Sequence, residues 1–295
     1  NSQFQACNDP QAWPFARLAR TAADWQPDLI IHVGDYNYRE APCPPGNAGC
    51  ANDPFGYTWA ALDADFFTPA APLLSAAPWI FVRGNHEICD RNGSGWFRFL
   101  DPYPFQATCA DYTAPYRVPL AGLNLLVLDA SMAGEIYTAD AAVSAIYAPQ
   151  FDALARLAGA HAWLLTHSPL WATGSGGGST FVDTIVLQQA AAGRLPDALK
   201  LVVSGHLHIF QALSFGPQRP GQLLIGASGT ALDPPAPRPL AGRELDGLPV
   251  RAGISLNQFA FMTIEPLAGV WQATLRDPDG APLLRCDLRG REIAC

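Results

Sequence analysis

Four short apolar runs, each broken off at a small residue and followed by a carboxylate, an amide or an imidazole, constrain this chain more than any other feature. They read LIIHVGD at 29–35, WIFVRGNHE at 79–87, AWLLTHS at 162–168 and LVVSGHLH at 201–208. Continuous apolar runs of this length, without polar alternation, are the pattern of strands buried on both faces of a parallel sheet. Apolar groups at helical spacing over residues 10–25 and 148–160 lead into two of them, which is the alternation of an α/β fold. Strands of this kind end at the rim of a sheet, so four of them can bring polar side chains to one place.

The chain can bury such a sheet: its 295 residues are 49% hydrophobic and only 15% charged, a globular composition. With no internal repeat or clear boundary, residues 1–295 read as a single domain. A net charge of −8, a pI near 5.1 and a single lysine, Lys200, leave no basic footprint for a nucleic-acid backbone or an anionic membrane surface. No apolar run reaches the 18 or so residues of a membrane-crossing helix. The first residues, NSQFQACNDP, carry neither an initiating Met nor the basic and apolar regions of a signal peptide. The sequence does not specify an oligomeric state.

The seven cysteines contain no Cys-x-x-Cys pair, against a structural zinc knuckle. Pairing neighbours along the sequence joins Cys43 to Cys50, Cys89 to Cys109 and Cys286 to Cys295, and leaves Cys7 over. Three disulfides point to an oxidising compartment, so the protein is expected to be secreted or periplasmic.

Elsewhere, residues 40–56 read as a Pro/Gly-rich loop closed by a disulfide, TWAALDADFFTP as a helix, LNLLVLDAS at 123–131 as a strand and GSGGGST at 174–180 as a mobile loop. The last third alternates like strands, with Asp277-Pro-Asp-Gly280 as a turn. NGS at 92–94 matches a glycosylation acceptor, and His32 and His161 read as core histidines.

Taken singly, Asp35, Asn85, His86, His167, His206 and His208 are each ordinary turn or core residues. Jointly, Gly-Asp, Gly-Asn-His, His and Gly-His-x-His in this order, each after its apolar run, resemble the calcineurin-like metallophosphoesterase superfamily over residues 28–210. Tyr38 in GDYNY resembles the ferric ligand of single-domain purple acid phosphatases. The resemblance implies an α/β fold, a four-layer α/β/β/α sandwich with two metal ions between the sheet edges. Carried over position by position, Asp35 bridges both ions. Tyr38 and His208 serve the first, as Fe(III), and Asn85, His167 and His206 serve the second, as Zn, Mn or Fe(II). His86 stays off the metals as the catalytic group that contacts phosphate or protonates the leaving group. Glu87 orients its neighbours, and Asp129 is a structural strand-end residue.

The family's first strand, ending in a further Asp ligand, has no counterpart here: Asp9 follows no apolar run and Asp24 falls within the first helix. That strand is expected upstream of residue 1. The leading functional expectation is a phosphomonoesterase acting on a small phosphorylated substrate with a metal-bound hydroxide. A phosphodiesterase acting on cyclic nucleotides or lipid head groups is an alternative, and a metal-poor pseudo-enzyme that binds phosphate or a partner is another. Substrate choice falls to the loops 90–117 and 170–185.

Overall fold

The computed structural model describes residues 6–134, 136, 138–176 and 179–295. In chain order the first elements are helix α1 (Phe15–Asp24), strand β1 (Ile30–His32), helices α2 (Trp59–Leu62) and α3 (Thr68–Leu74), β2 (Trp79–Phe81), α4 (Gly93–Phe99), β3 (Tyr116–Leu120) and β4 (Leu123–Leu128). Helix α5 (Ala141–Leu157), β5 (Ala162–Thr166), the ladder β6 (Thr173–Gly176) and β7 (Ser179–Val182), α6 (Ile185–Ala191), β8 (Leu199–Ser204), β9 (Phe210–Ser214) and β10 (Gly221–Ile225) follow. The short β11 (Glu244–Leu245) and β12 (Leu248–Pro249) precede β13 (Ala252–Leu256), β14 (Phe261–Leu267), β15 (Val270–Arg276), β16 (Pro282–Arg289) and β17 (Glu292–Ala294).

A mixed sheet of seven strands runs in the order β13-β9-β10-β8-β5-β4-β3, parallel across β4, β5, β8 and β10. Successive side chains of a strand face opposite ways, and here they supply two different cores. From β4 and β5, Leu126, Leu128, Ala162 and Leu164 pack in one cluster with Tyr147, Phe151 and Leu154 of α5 and Val186 and Leu187 of α6. Their neighbours Leu125, Val127, Trp163 and Leu165 pack on the other face with Ile80 and Val82, and with Ala273, Leu275 and Leu288 of β15 and β16. β1 and β2 form a parallel pair and β14–β17 an antiparallel meander. On the far side of β2, Trp79 and Phe81 meet Leu62, Phe66 and Ala70 from α2, α3 and the turn between them. Helices, the seven-stranded sheet, a layer made of the β1–β2 pair and the separate β14–β17 meander, and helices therefore lie in sequence, the four layers expected.

Several local readings change. The helix expected at 148–160 begins at Ala141, because Asp140 accepts from the amides of Ala142 (2.9 Å) and Val143 (3.0 Å), and Pro149 is held inside it. The loop expected at 174–180 is instead part of the antiparallel ladder of β6 and β7, with Gly177 and Gly178 outside the described residues. TWAALDADFFTP is interrupted: α2 passes through one π turn, Asp63–Phe67, before α3. Asn92 of the NGS triplet is buried against Gly95, where no glycan could reach it, and His161 is exposed, not in the core.

The three disulfides form as the spacing predicts, Cys43–Cys50, Cys89–Cys109 and Cys286–Cys295. Cys7 keeps a free thiol, which burial pushes up to about 11. It opens on a cavity of about 360 Å³ between α1 and α3 that none of the strand-end residues lines. Among the described residues no helix is long and apolar enough to cross a membrane.

Candidate metal centre

Four turns meet at the rim where the two sheets face each other. The one after β1 reverses sharply, with Gly34 at φ 104° and Asp35 at φ 62°, so that the carboxylate turns inward. This geometry depends on the absence of side chains nearby: a Cβ on Gly34 would stand 2.3 Å from His167 Nδ1, and one on Gly84 2.1 Å from Asp35 Oδ1. Glu87 ties the first two turns together by accepting from the amides of Asp35 (3.1 Å), Tyr36 (2.8 Å) and Gly84 (3.1 Å). Its burial, then the nearby Asp35 charge, push its carboxyl up to about 7. Asp65, in the π turn, accepts from the amides of Tyr38 (2.6 Å) and Arg39 (2.8 Å) and so fixes where Tyr38 points.

Two groups of donor atoms result, sharing one oxygen. Asp35 Oδ2 lies 2.9 Å from the Tyr38 hydroxyl, which lies 3.1 Å from His208 Nε2. The same Oδ2 lies 3.3 Å from His167 Nε2, which is 2.9 Å from Asn85 Oδ1 and 3.3 Å from His206 Nδ1. Asn85 Oδ1 and His206 Nδ1 are 3.1 Å apart. Two ligands each about 2.1 Å from one cation are separated by roughly 3.0 Å at octahedral and 3.4 Å at tetrahedral angles, so both groups are spaced as ligand shells. Among the described residues no group of three or more His, Cys, Asp or Glu stands as a finished cation cage. The donors lie against one another, and the fit rests on their spacing and chemistry.

The ring orientations agree with that use. His167 turns Nδ1 to the carbonyl of Val33 (2.7 Å) and His208 turns Nδ1 to that of Ala231 (2.8 Å), leaving Nε2 of each for the cluster. Burial and then His167 push His206 down to about 3, so its imidazole is neutral. Burial opposes the charge of Asp35, but the imidazoles of His167 and His86 hold its carboxyl well below the usual range. Burial and Asp35 push the Tyr38 phenol well above its ordinary value.

His86 stands apart from the donor groups. Its Nδ1 is 2.9 Å from the Asn37 carbonyl and 3.3 Å from Glu40, while Nε2 faces the cluster 3.8 Å from Asp35 Oδ2. Arg91 grips Glu40 through two hydrogen bonds of 2.6 and 2.7 Å and lies 2.8 Å from the same Nδ1. Burial lowers the His86 pKa, yet Asp35 and Glu40 together raise it above the ordinary value. Asp129 has no part in the cluster. It accepts from Arg83, Thr113 and Ser131.

Sequence reasoning singled out Asp35, Tyr38, Asn85, His86, His167, His206 and His208, and the fold brings all seven to this rim. It did not find Glu40, Asp65, Arg91 or Asp233, whose carboxylate accepts from the His208 amide at 2.8 Å. The clue for Glu40 was its place two residues beyond Tyr38. The others lie in stretches with no motif.

Comparison with known proteins bears on the same residues. The sequence profile of the calcineurin-like phosphoesterase family matches residues 6–210. No curated protein matches the chain. Among solved structures, a purple acid phosphatase, PPD1 from yellow lupin (Lupinus luteus) seeds, is similar with a TM-score of 0.58 and 13% identity, over 96% of this chain and 49% of that one. This chain thus spans about half the length of the lupin phosphatase. GAP50, described as the anchor in the inner membrane complex of Plasmodium, gives 0.57 and 12% over 94% and 85% of the two chains, and PhoD gives 0.56 and 10% over 96% and 69%. These structures share the fold, and the family profile spans all four strand-end motifs: the chain belongs to the calcineurin-like phosphoesterase family.

Proposed function

We propose that the protein is a binuclear metal-dependent phosphoester hydrolase, a phosphomonoesterase of purple acid phosphatase type. One observation carries this: Asp35 Oδ2 lies within 3.3 Å of both donor groups, Tyr38 with His208 and Asn85 with His167 and His206. A phenolate and an imidazole beside a carboxylate suit Fe(III), and an amide oxygen with two imidazoles suits Zn, Mn or Fe(II). When bound, such a pair supplies Lewis-acid polarisation of phosphoryl oxygens and lowers the pKa of water.

The chain's own residues do the rest. In its imidazolium form His86 donates from Nδ1 to the carbonyl of Asn37 and the carboxylate of Glu40, and its Nε2–H faces the cluster. There it can pass to the oxygen of the departing alcohol, general acid chemistry for which a raised His86 pKa is suited. Glu87 and Asp65 hold the Asp35 and Tyr38 turns without contacting substrate. The three disulfides support a secreted or periplasmic location, and the net charge of −8 supports a small phosphorylated substrate over a polyanion.

The test is spectroscopic and enzymatic. Protein loaded with iron should show a visible tyrosinate-to-iron band that Tyr38→Phe removes, and should cleave monoesters faster than diesters. A colourless, manganese-dependent enzyme preferring diesters would replace the purple acid phosphatase reading with the phosphodiesterase one. Among the described residues the first donor group holds Asp35, Tyr38 and His208. If no metal binds and no ester is cleaved, the cleft is a binding site, a use suggested by the anchor that shares this fold.

A further inference from the structure

His206 differs from the other two imidazoles of the donor groups. His167 and His208 each give one ring nitrogen to a backbone carbonyl and the other to the cluster. His206 turns Nδ1 inward, and the carboxylate within reach of its outer nitrogen is Asp183, with Oδ2 4.0 Å from Nε2. Asp183 is wholly buried, and among the described residues no side chain hydrogen-bonds its carboxylate. A buried carboxylate left in that state is destabilising, so it persists where something else requires it.

The backbone around it is costly too. Thr184, the next residue, is β-branched yet sits at φ 51° in the left-handed region. The segment is held in place: the Asp183 amide donates to the Ala172 carbonyl at 3.1 Å and Gln188 Nε2 donates to the Asp183 carbonyl at 3.2 Å. Strain and a buried acid without a side-chain partner thus coincide directly behind one imidazole of the cluster.

We infer that Asp183 is the positioning residue of His206: it accepts a hydrogen bond from Nε2–H, fixes that tautomer, and so presents the Nδ1 lone pair to the second cation. Taking the cluster as a cation centre underlies this step. The gap of 4.0 Å closes to an ordinary N–H···O distance with a movement of about 1 Å, which the broad ring torsion of a histidine permits. A carboxylate behind a ligating imidazole makes it more basic and locks its direction, and its loss weakens metal binding by about 10- to 100-fold.

The experiment compares wild type with Asp183→Leu, Asp183→Asn and His206→Ala. Affinity for Zn²⁺ is measured by competition with a chromophoric chelator, and ¹⁵N NMR of the metal-free protein reads the His206 tautomer. Asp183→Leu should bind Zn²⁺ about 10- to 100-fold more weakly and lose the single Nε2–H tautomer. Its thermal midpoint should hold or rise, because an unpaired buried acid has been removed. Asp183→Asn keeps an acceptor and should keep the tautomer with an intermediate affinity, which decides the matter if the leucine variant fails to fold. Wild-type affinity and tautomer in both variants would overturn the inference, as would a lowered midpoint with affinity and tautomer unchanged, the mark of a merely structural role. If His206→Ala binds Zn²⁺ as well as wild type does, the cation centre itself is misread, while the tautomer still reports on Asp183 alone.

Discussion

Replacing Gly84 with alanine tests the placement of Asp35 more sharply than replacing Asp35 itself, because it leaves every donor atom in the protein. The new Cβ would stand 2.1 Å from Asp35 Oδ1 and 2.4 Å from the Asp35 amide nitrogen. Carbon and oxygen in contact stand about 3.3 Å apart or more, so the carboxylate must retreat by about 1 Å. Backbone atoms of the same residue are in the way, so no flexible side chain can absorb the overlap. Overpacking of this kind is destabilising by about 1–3 kcal/mol, which for a chain of this length lowers the thermal midpoint by roughly 2–5 °C. A 1 Å misplacement at a reacting centre lowers turnover by about 100-fold.

Calorimetry, metal content by mass spectrometry and hydrolysis of a chromogenic phosphomonoester would be measured together. Gly229→Ala serves as the control, since a Cβ there meets Phe15 at an ordinary 3.5 Å. A Gly84→Ala protein with a wild-type midpoint and undiminished metal content would refute the claim that Asp35 is held beneath Gly84.

His86→Ala should lower turnover by about 10²- to 10⁴-fold while metal content stays at wild type; lost metal would instead make His86 a ligand. Glu40 gives an acid-stability prediction. Burial would raise its carboxyl, but its bonds to His86 and Arg91 outweigh that and hold it down to about 2. A group held below its ordinary value of 4.5 stabilises the fold above that pH and loses the contribution as pH falls toward 2. Glu40→Gln should therefore flatten the fall of the thermal midpoint between about pH 5 and 2, and unchanged slopes in the two proteins would remove Glu40 from this role. Cys89 and Cys109 close a span of 20 residues beside His86, and replacing both with serine should be destabilising by about 3 kcal/mol in a denaturant titration.

How much of this was legible varies with the kind of signal. The strands that carry Asp35, Asn85, His167 and His206 were readable because both faces of a buried strand are apolar, so the polar break at each end stands out. The disulfides were readable because each joins cysteines close in sequence, and the 277–280 turn because Gly280, at φ 87°, donates to Asp277 across it. The start of α5 was hidden by Pro149, which disfavours helix at the residue before it, yet the helix runs through it from the Asp140 cap. The β6–β7 ladder was hidden by its glycines, which carry no alternation to read. The groups that support the site were least visible. Glu40 meets Arg91 across 51 residues and Arg39 meets Asp65 across 26, distances at which no local pattern survives.

Asp35, Tyr38, Asn85 and His86 ride on one sheet, and His167, His206 and His208 on the other. The rim is therefore a gauge of how the two sheets are seated, as two halves of a ruler show any slip between them. Volume changes in the layer between the sheets, at Ile80 or Leu165 for example, move one row of marks against the other. Such changes would tune which ion fits long before they threatened the fold.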